Sequence, residues 1–458
     1  MNRIKRVSIA VPNYILRDEY GDPGSPPIGP AMVAATLRDA GFEVDLIDAD
    51  AENLSMDETV DRILSFSPDA VGLSCNYITK HNPTMRLAAA LKSKQPGLFI
   101  FAGGNHAAAY SEGLIVENGP IDVVLTGEGE AEAPALLKAM NERGSPDKSP
   151  GAVIWTGGKS TLVAPRGHVE DLNTLPLAAY DLLPMEKYRR FELVTSRGCP
   201  YTCSFCASTE IVGTKVRLRS PESVVNEVEH LRKHYGDRFL WISDDTFTAI
   251  KTHAVSVSAA LEKVQPPVKW SCFATAVTLK TEVLAAMKRS GCEYLSIGVE
   301  TTHPSQKRYV GKRVTDDSIA EAVQRCHDAG LRVYGFIIVG FPGENKETLE
   351  SRYRLIEKAK FDDVGVNTLI PLPGTMIWHE LIQNKLFDPK KLEMDYLFAR
   401  VSDDGDSDRA ARLTASWTDL SVEELLEGVR ICRELGQSSS PNYIPRDMGK
   451  ITEQQVCA

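Results

Sequence analysis

The sequence has no apolar stretch approaching the ~18 residues that a membrane-spanning helix needs. It has no basic surplus either. With 52 basic against 62 acidic residues the formal charge is −10, so nothing is available to neutralise a nucleic-acid backbone. No G-x-G-x-x-G follows the first strand-like run, "VSIAVP", which removes the dinucleotide fingerprint. The start "MNRIKRVSIAVPNY" is basic, but its apolar run is short and broken by Pro12; it reads as a first strand and not as a signal peptide. Cysteines do not come in pairs. Nine of them, scattered except for one group, exclude a disulfide framework and point to a reducing compartment, the cytoplasm. Cys75, Cys272, Cys292, Cys326, Cys432 and Cys457 read as buried or incidental thiols.

What is present is a long α/β pattern. The 458 residues suffice for two or three domains. Over 1–140, "VSIAVP", "EVDLIDAD", "AVGLSCN", "LFIFAGG" and "DVVLTGEGE" alternate with amphipathic helical stretches, which predicts βαβ units around a Rossmann-like parallel sheet. Ligands of such sheets bind beyond the carboxyl ends of the strands. Those ends carry Pro12, Asn13, Asn76, Tyr77, Gly103, Gly104, Asn105, Gly127 and Gly129. Residues 141–190, dense in Gly, Pro, Ser and Asp, read as a linker with a small hairpin at "VIWTGGKSTLV". A second βα series over 191–390 runs through "ELVTSRG", "RFLWIS", "VKWSCFA", "YLSIGVE", "RVYGFIIVG" and "DVGVNTLIP". Six units are too few for a closed eight-unit barrel, so an open partial barrel is expected. Its first helix is signalled by Ser220 as cap and Pro221 at the first helical position. Residues 391–458 form a small helical carboxyl-terminal segment with the acidic loop "VSDDGDSDRAA" and a frayed tail from Gln437.

The exceptional cysteines are Cys199, Cys203 and Cys206, in "TSRGCPYTCSFCAS" at the end of the first barrel strand. Three thiols are one short of a structural zinc site. Two chemistries accommodate them: zinc with a remote fourth ligand such as a histidine, or a 4Fe-4S cluster with one iron left open to a small molecule. The CxxxCxxC spacing, with Phe205 just before the third cysteine and a six-unit βα series behind it, resembles the radical S-adenosylmethionine (SAM) enzymes. The resemblance implies that the open iron binds SAM, and that one electron cleaves SAM to methionine and a 5′-deoxyadenosyl radical. It also implies SAM contacts for Phe205, Asp244, Asp245, Glu300, Gly340 and Pro342, and matches the Pro373-Gly374-Thr375 turn after the sixth strand. "CFATAVTL" departs from the family, lacking the arginine that relatives often carry after the third strand.

Residues 1–140 resemble the amino-terminal domain of cobalamin-binding radical SAM enzymes, through "SPPIGPAMVAATLRDAGFEVDLIDAD", "AGGNHAAAY" and "DVVLTGEGE". By that resemblance the strand-end residues named above hold a corrinoid facing the cluster. The Asp-x-His-x-x-Gly motif that supplies a lower histidine ligand elsewhere is absent; His106 suits a structural loop, and Asn76 and Tyr77 are the expected lining of the lower face. The implied activity is methylation of an unactivated carbon of a small molecule or peptide. The alternatives are a radical dehydration, rearrangement or oxidation of a sugar-like metabolite without methyl transfer, and a noncatalytic iron–sulfur or corrinoid-binding protein. A flavodoxin- or ferredoxin-type donor is implied as electron source. Cys432 and Cys457 stand alone, so no auxiliary cluster is expected. The linker and carboxyl-terminal segment are expected over the barrel mouth, with Tyr334, Trp378 or His379 lining the substrate cavity.

Overall fold

A computed structural model of the chain describes residues 3–13, 24–312, 314–389 and 407–438. The first half builds a sheet from β1 (Arg6–Val11), β2 (Glu43–Asp48), β3 (Ala70–Ser74), β4 (Phe99–Gly103), β5 (Val123–Leu125), β6 (Ala152–Thr156) and β7 (Lys159–Leu162). Its order is β2-β1-β3-β4-β5-β6-β7, with β1 to β5 parallel and β6 and β7 antiparallel. The central strands are buried on both faces, as helix-covered parallel strands must be, which is why they read as continuous apolar runs. β1 lies between β2 and β3, so the chain reverses direction across the sheet there and opens a crevice at the carboxyl ends.

The hairpin read as part of the linker extends this sheet: β6 pairs with β5, and Thr126 N and Oγ1 both donate to Gly151 O. β5 is also shorter than "DVVLTGEGE" suggests. Gly129 already starts a helix, Gly129–Arg143, whose first turn carries Glu130 and Glu132 where the helix dipole favours anions.

After β8 (Arg190–Leu193), the short β9 (Ser196–Arg197) and β10 (Arg217–Leu218) pair with each other. β11 (Phe239–Ile242), β12 (Trp270–Ala274), β13 (Cys292–Glu300), β14 (Arg332–Val339) and β15 (Asp363–Thr368) complete a parallel six-stranded sheet in the order β15-β14-β13-β12-β11-β8. This is the open partial barrel. One residue of each pair faces the outer helices and the next faces the lumen, as the alternating burial of β14 shows. The outer helix Pro221–Tyr235 starts as expected, with Ser220 Oγ accepting from Ser223 N at 3.1 Å.

Of the described carboxyl-terminal helices, Ser407–Ala415 sits at the carboxyl ends of β14 and β15, where Thr414 abuts Gly340 and its Oγ1 donates to Leu369 O, whereas the longer helix does not lie over the barrel mouth. Arg433 donates to Val366 O, Gly436 abuts Val364, and both valines are on the outward face of β15, so the helix Val422–Ser438 takes the place of an outer barrel helix. The end of the expected acidic loop, from Ser407, is helical; its remainder and the tail beyond Ser438 lie outside the described residues. Cys75, Cys272, Cys292, Cys326 and Cys432 are buried, unpaired thiols, as expected. Cys457 lies outside the described residues.

Candidate functional site

The chain leaves β8 and turns into the cysteine loop at Gly198, whose φ of +101° and contact with Lys215 O leave no room for a side chain. The loop is then pinned from several sides. Cys199 N donates to Gly213 O at 3.2 Å, Ser204 N to Val310 O at 3.3 Å, and Ile377 N to Ser204 O at 3.1 Å. Cys199, Cys203 and Cys206 are all partly exposed and unpaired, and Thr246 Oγ1 lies 3.8 Å from Cys199 Sγ. Burial pushes the Cys199 thiol up and the Cys203 thiol to about 11, against the pull of Lys312 on Cys203. These two are therefore thiols at neutral pH, and metal loading must expel their protons. Among the described residues no three His, Cys, Asp or Glu side chains converge on a single-ion site. The thiols of a cubane bind different irons and need not converge, so three thiols on one short, braced loop fit the cluster.

Asp244 corrects the sequence expectation. It is buried, and its carboxylate accepts from Thr195 N and Oγ1 at 2.6 Å and from Ser196 Oγ at 2.7 Å. Its oxygens brace the start of the cysteine loop instead of facing a ligand. The neighbouring Asp245 does reach the cavity described below. Glu300 ends β13 with a φ of +61°, a strained conformation for a non-glycine residue, next to a register shift against β14. Burial raises its pKa while Lys312 Nζ, 3.3 Å away, opposes the shift. Glu300 and Lys312 both act electrostatically on Cys203, which puts this pair beside the cluster loop. Nothing in the motif pattern singled out Lys312.

Gly340 is likewise not open to a ligand: any side chain there would collide with Thr414, and its carbonyl accepts from Trp417 Nε1 at 2.9 Å. The Gly340–Pro342 loop is shaped from beneath by Glu344, which accepts from Gly340 N and Phe341 N and pairs with the fully buried Arg352. Phe205 packs edge-to-face on Phe341 with centroids 5.8 Å apart, tying the cysteine loop to this loop. Trp378 is core, against Tyr110 and Phe387, and His379 is exposed.

A cavity of about 300 Å³ lies between the two sheets. The first half of the chain contributes Gly29, Asn76, Gly103, Gly104, Asn105, Gly127, Glu128 and Gly129; the second contributes Ser196, Arg197, Ser243 and Asp245. Six of the nine predicted front residues thus line one space. Pro12, Asn13 and Tyr77 are not among the residues lining it: Pro12 O accepts from Lys80 Nζ, Asn13 Nδ2 donates to Leu54 O, and the Tyr77 phenol lies instead toward Glu192 and Arg190 of β8. Packing accounts for Gly104 and Gly127, whose added Cβ would meet Asn76 Oδ1 and Glu132 Oε1. At Gly29 and Gly103 an added Cβ meets nothing closer than 3.9 and 3.8 Å, so those two lack side chains where one would only fill cavity.

His106 is turned away. It is buried with Nε2 3.0 Å from His81 Nδ1, and burial drives its pKa down to about 3. Among the described residues the cavity lining contains no imidazole, thiol or thioether; Asn76, which accepts from Asn105 N at 3.1 Å, is one of its neutral polar groups and lies just beyond β3. These side chains would border a corrinoid without offering it an imidazole or a thiol. The cavity wall is closed by an ion network between the sheets, with Glu128 accepting from Arg197 at 2.9 Å and Arg217 at 2.6 Å, and Glu130 from Arg197 at 2.6 Å. Burial alone would raise the Glu128 pKa, but the two guanidinium groups hold it below its ordinary value.

Comparison with known proteins follows the same division. Residues 193–356 match the radical SAM superfamily and residues 23–137 the B12 binding domain. An uncharacterized methyltransferase of Pyrococcus horikoshii is 31% identical over 366 residues, covering 79% of each chain. A hopanoid C-3 methylase of Methylococcus capsulatus is 30% identical over 367 residues, covering 77% of this chain and 68% of its own. The fold is shared with the radical SAM methyltransferase TsrM of Kitasatospora setae, solved with cobalamin and a [4Fe-4S] cluster, at a TM-score of 0.70, 19% identity, and coverage of 84% of this chain and 75% of that one.

Proposed function

The chain belongs to the radical SAM superfamily, in the group that also carries a B12-binding domain, and from that premise we propose that it methylates an unactivated carbon of a small-molecule or peptide substrate. The cofactors of this group are a 4Fe-4S cluster, SAM and cobalamin, which when bound supply a hydrogen-abstracting radical and a transferable methyl group. The single supporting observation is the shared cavity: the strand ends of both sheets open into it, and the cysteine loop adjoins it.

In this reading Cys199, Cys203 and Cys206 hold the cluster. Asp245, Glu300 and Phe205 stand beside SAM, with Lys312 keeping Glu300 paired and in place. Asn76, Gly103, Gly104, Asn105, Gly127 and Gly129 border the corrinoid. The Arg197–Glu128–Glu130 network and the apolar cluster around Ile78, Phe341 and Trp378 hold the two halves together and keep water from the space between. The reading includes a cytoplasmic setting, where free thiols persist, and a flavodoxin- or ferredoxin-type electron donor. No helix of the described residues is long and apolar enough to cross a membrane.

Anaerobic reconstitution with iron, sulfide and hydroxocobalamin, followed by absorbance spectroscopy and assay with trideuteromethyl SAM, tests the proposal. The expected result is retention of both cofactors and formation of S-adenosylhomocysteine together with 5′-deoxyadenosine, the deoxyadenosine being lost or nearly lost in Cys203→Ala. A protein that keeps the cluster and makes 5′-deoxyadenosine, but retains no corrinoid, would replace this reading with radical chemistry without methyl transfer.

A further inference from the structure

The helix Lys346–Ala359, which follows β14, buries two kinds of side chain. Its second half buries Leu355, Ile356 and Ala359, as an outer helix covering a sheet should. Its first half buries Thr348, Ser351 and Arg352 beside Leu349. Arg352 is fully buried, and so is its ion-pair partner Glu344. Two opposite charges taken out of water gain little stability over an apolar pair of similar volume. Among the described residues, moreover, neither Arg352 Nε nor Gln306 Nε2 has a hydrogen-bond partner, although both are buried. Stability does not account for this set of residues; the two loops that it holds do.

One loop is the end of β13. Both terminal nitrogens of Arg352 engage Glu344, and Nη2 also donates to Thr301 Oγ1 at 3.2 Å and to Gln306 Oε1 at 3.1 Å. Thr301 Oγ1 itself donates to Gln306 Oε1 at 2.6 Å, and Thr302 Oγ1 lies 2.5 Å from Ser351 Oγ. Thr301 directly follows Glu300. Its N donates to Val299 O at 2.8 Å, closing a three-residue turn around Glu300 at a φ of +61°. Such a turn persists only where its surroundings fix it. Here they are Thr301 and Thr302, gripped by the helix. The other loop follows β14. Glu344 accepts from Gly340 N at 2.6 Å and Phe341 N at 3.2 Å, and Phe341 supports Phe205 of the cysteine loop. Glu300 and Phe205 thus both trace back to one guanidinium.

We propose that Arg352 is a positioning residue for SAM: without touching the cofactor, it fixes Glu300 relative to Phe205, two of the side chains that stand beside it. The planar fork of a guanidinium reaches Glu344 and the Thr301–Gln306 pair at once. A lysine ammonium on a flexible stem can satisfy Glu344 but cannot hold both sides in one rigid plane. The inference rests on the proposed function for the place of SAM, and not on the corrinoid or on methyl transfer.

The test is equilibrium dialysis of radiolabelled SAM against the oxidised, reconstituted holoenzyme, which binds SAM without cleaving it. Arg352→Lys is expected to weaken SAM binding at least tenfold and Thr301→Val at least threefold, with iron per chain unchanged. After reduction, the SAM concentration for half-maximal 5′-deoxyadenosine formation is expected to rise by the same factors, while the saturated rate falls less than twofold. The two substitutions combined are expected to weaken SAM no more than Arg352→Lys alone, because both cut one link. Leu355→Ala, on the apolar half of the helix, is expected to lower the thermal midpoint at unchanged SAM affinity. Where Arg352→Lys fails to hold the cluster, Thr301→Val decides, since it leaves the Glu344 pair whole. Unchanged SAM affinity in a variant that holds the cluster, equal weakening by Leu355→Ala, additive effects of the two substitutions, or loss of the cluster from both single variants overturns the proposal. A wild-type cluster that binds no SAM would overturn the proposed function and this inference together, whereas failure to retain a corrinoid would count against the proposed function alone.

Discussion

Two carboxylates at the ends of barrel strands meet opposite fates. Asp244 spends its oxygens on Thr195 and Ser196, whereas Glu300 is strained, buried and paired with Lys312 beside Cys203. Removing Asp244 would leave the buried Thr195 N–H and the Ser196 hydroxyl without an acceptor, at about 1–3 kcal/mol each, while Thr195 Oγ1 keeps His253 Nε2 at 3.0 Å. Asp244→Ala is therefore expected to lower the iron bound per chain after reconstitution by at least half, with Asp244→Asn intermediate; iron and sulfide assays check this. His106 gives the converse case. Its ring nitrogen is engaged by His81 inside the front half, so His106→Phe is expected to leave the electron paramagnetic resonance spectrum of bound cob(II)alamin unchanged.

At the scale of elements, the first turn of the helix Gly129–Arg143 carries the clearest pH-sensitive group. Burial raises the Glu132 pKa to about 7, against the opposing hydrogen bonds from Gly167 N and Gly127 N. A carboxyl that binds its proton more tightly when folded stabilises the protein fully below its unfolded pKa and loses that contribution as pH rises through the folded value. Relative to Glu132→Gln, the wild-type protein is expected to lose about 3 kcal/mol of stability between about pH 4.5 and 7, then run parallel above; urea midpoints across that range measure it. The short helix Ser407–Ala415 and Trp417 behind it floor the Gly340 loop. Trp417→Ala is expected to cost about 3–5 kcal/mol and to raise the concentration of SAM needed for half-maximal 5′-deoxyadenosine formation.

For the whole molecule, the decisive contacts run between the two halves. Arg197, beside the cysteine loop, reaches both Glu128 and Glu130 of the front sheet. Cutting one partner out of a buried pair costs about 3–5 kcal/mol because the other charge is stranded. Arg197→Leu is accordingly expected to lower the thermal midpoint and to release the corrinoid on gel filtration while the cluster, held by its own loop, stays bound. Simultaneous loss of both cofactors would show that the network supports the whole fold and not the shared cavity.

The residues that bind through local geometry were legible in the chain: the CxxxCxxC loop, the alternating βα pattern, and the glycines at strand ends all depend on neighbours a few positions away. Whether a strand-end residue faces the cavity was not. Pro12 follows a buried strand and Gly103 ends one, yet Pro12 O is taken by Lys80 and Gly103 borders the cavity. Lys312 and Arg197 carried no motif, because their roles depend on partners from other segments of the chain.

By itself the sequence determined the βα order, the three-thiol loop and the absence of a histidine motif for cobalt, since each is a matter of spacing along one segment. Only the tertiary structure decided that Asp244 braces the cysteine loop while Asp245 borders the cavity, and that the hairpin extends the front sheet. Those outcomes depend on which surfaces of distant strands come together, and burial and pairing across a sheet are set by the assembled fold and not by any single stretch of chain.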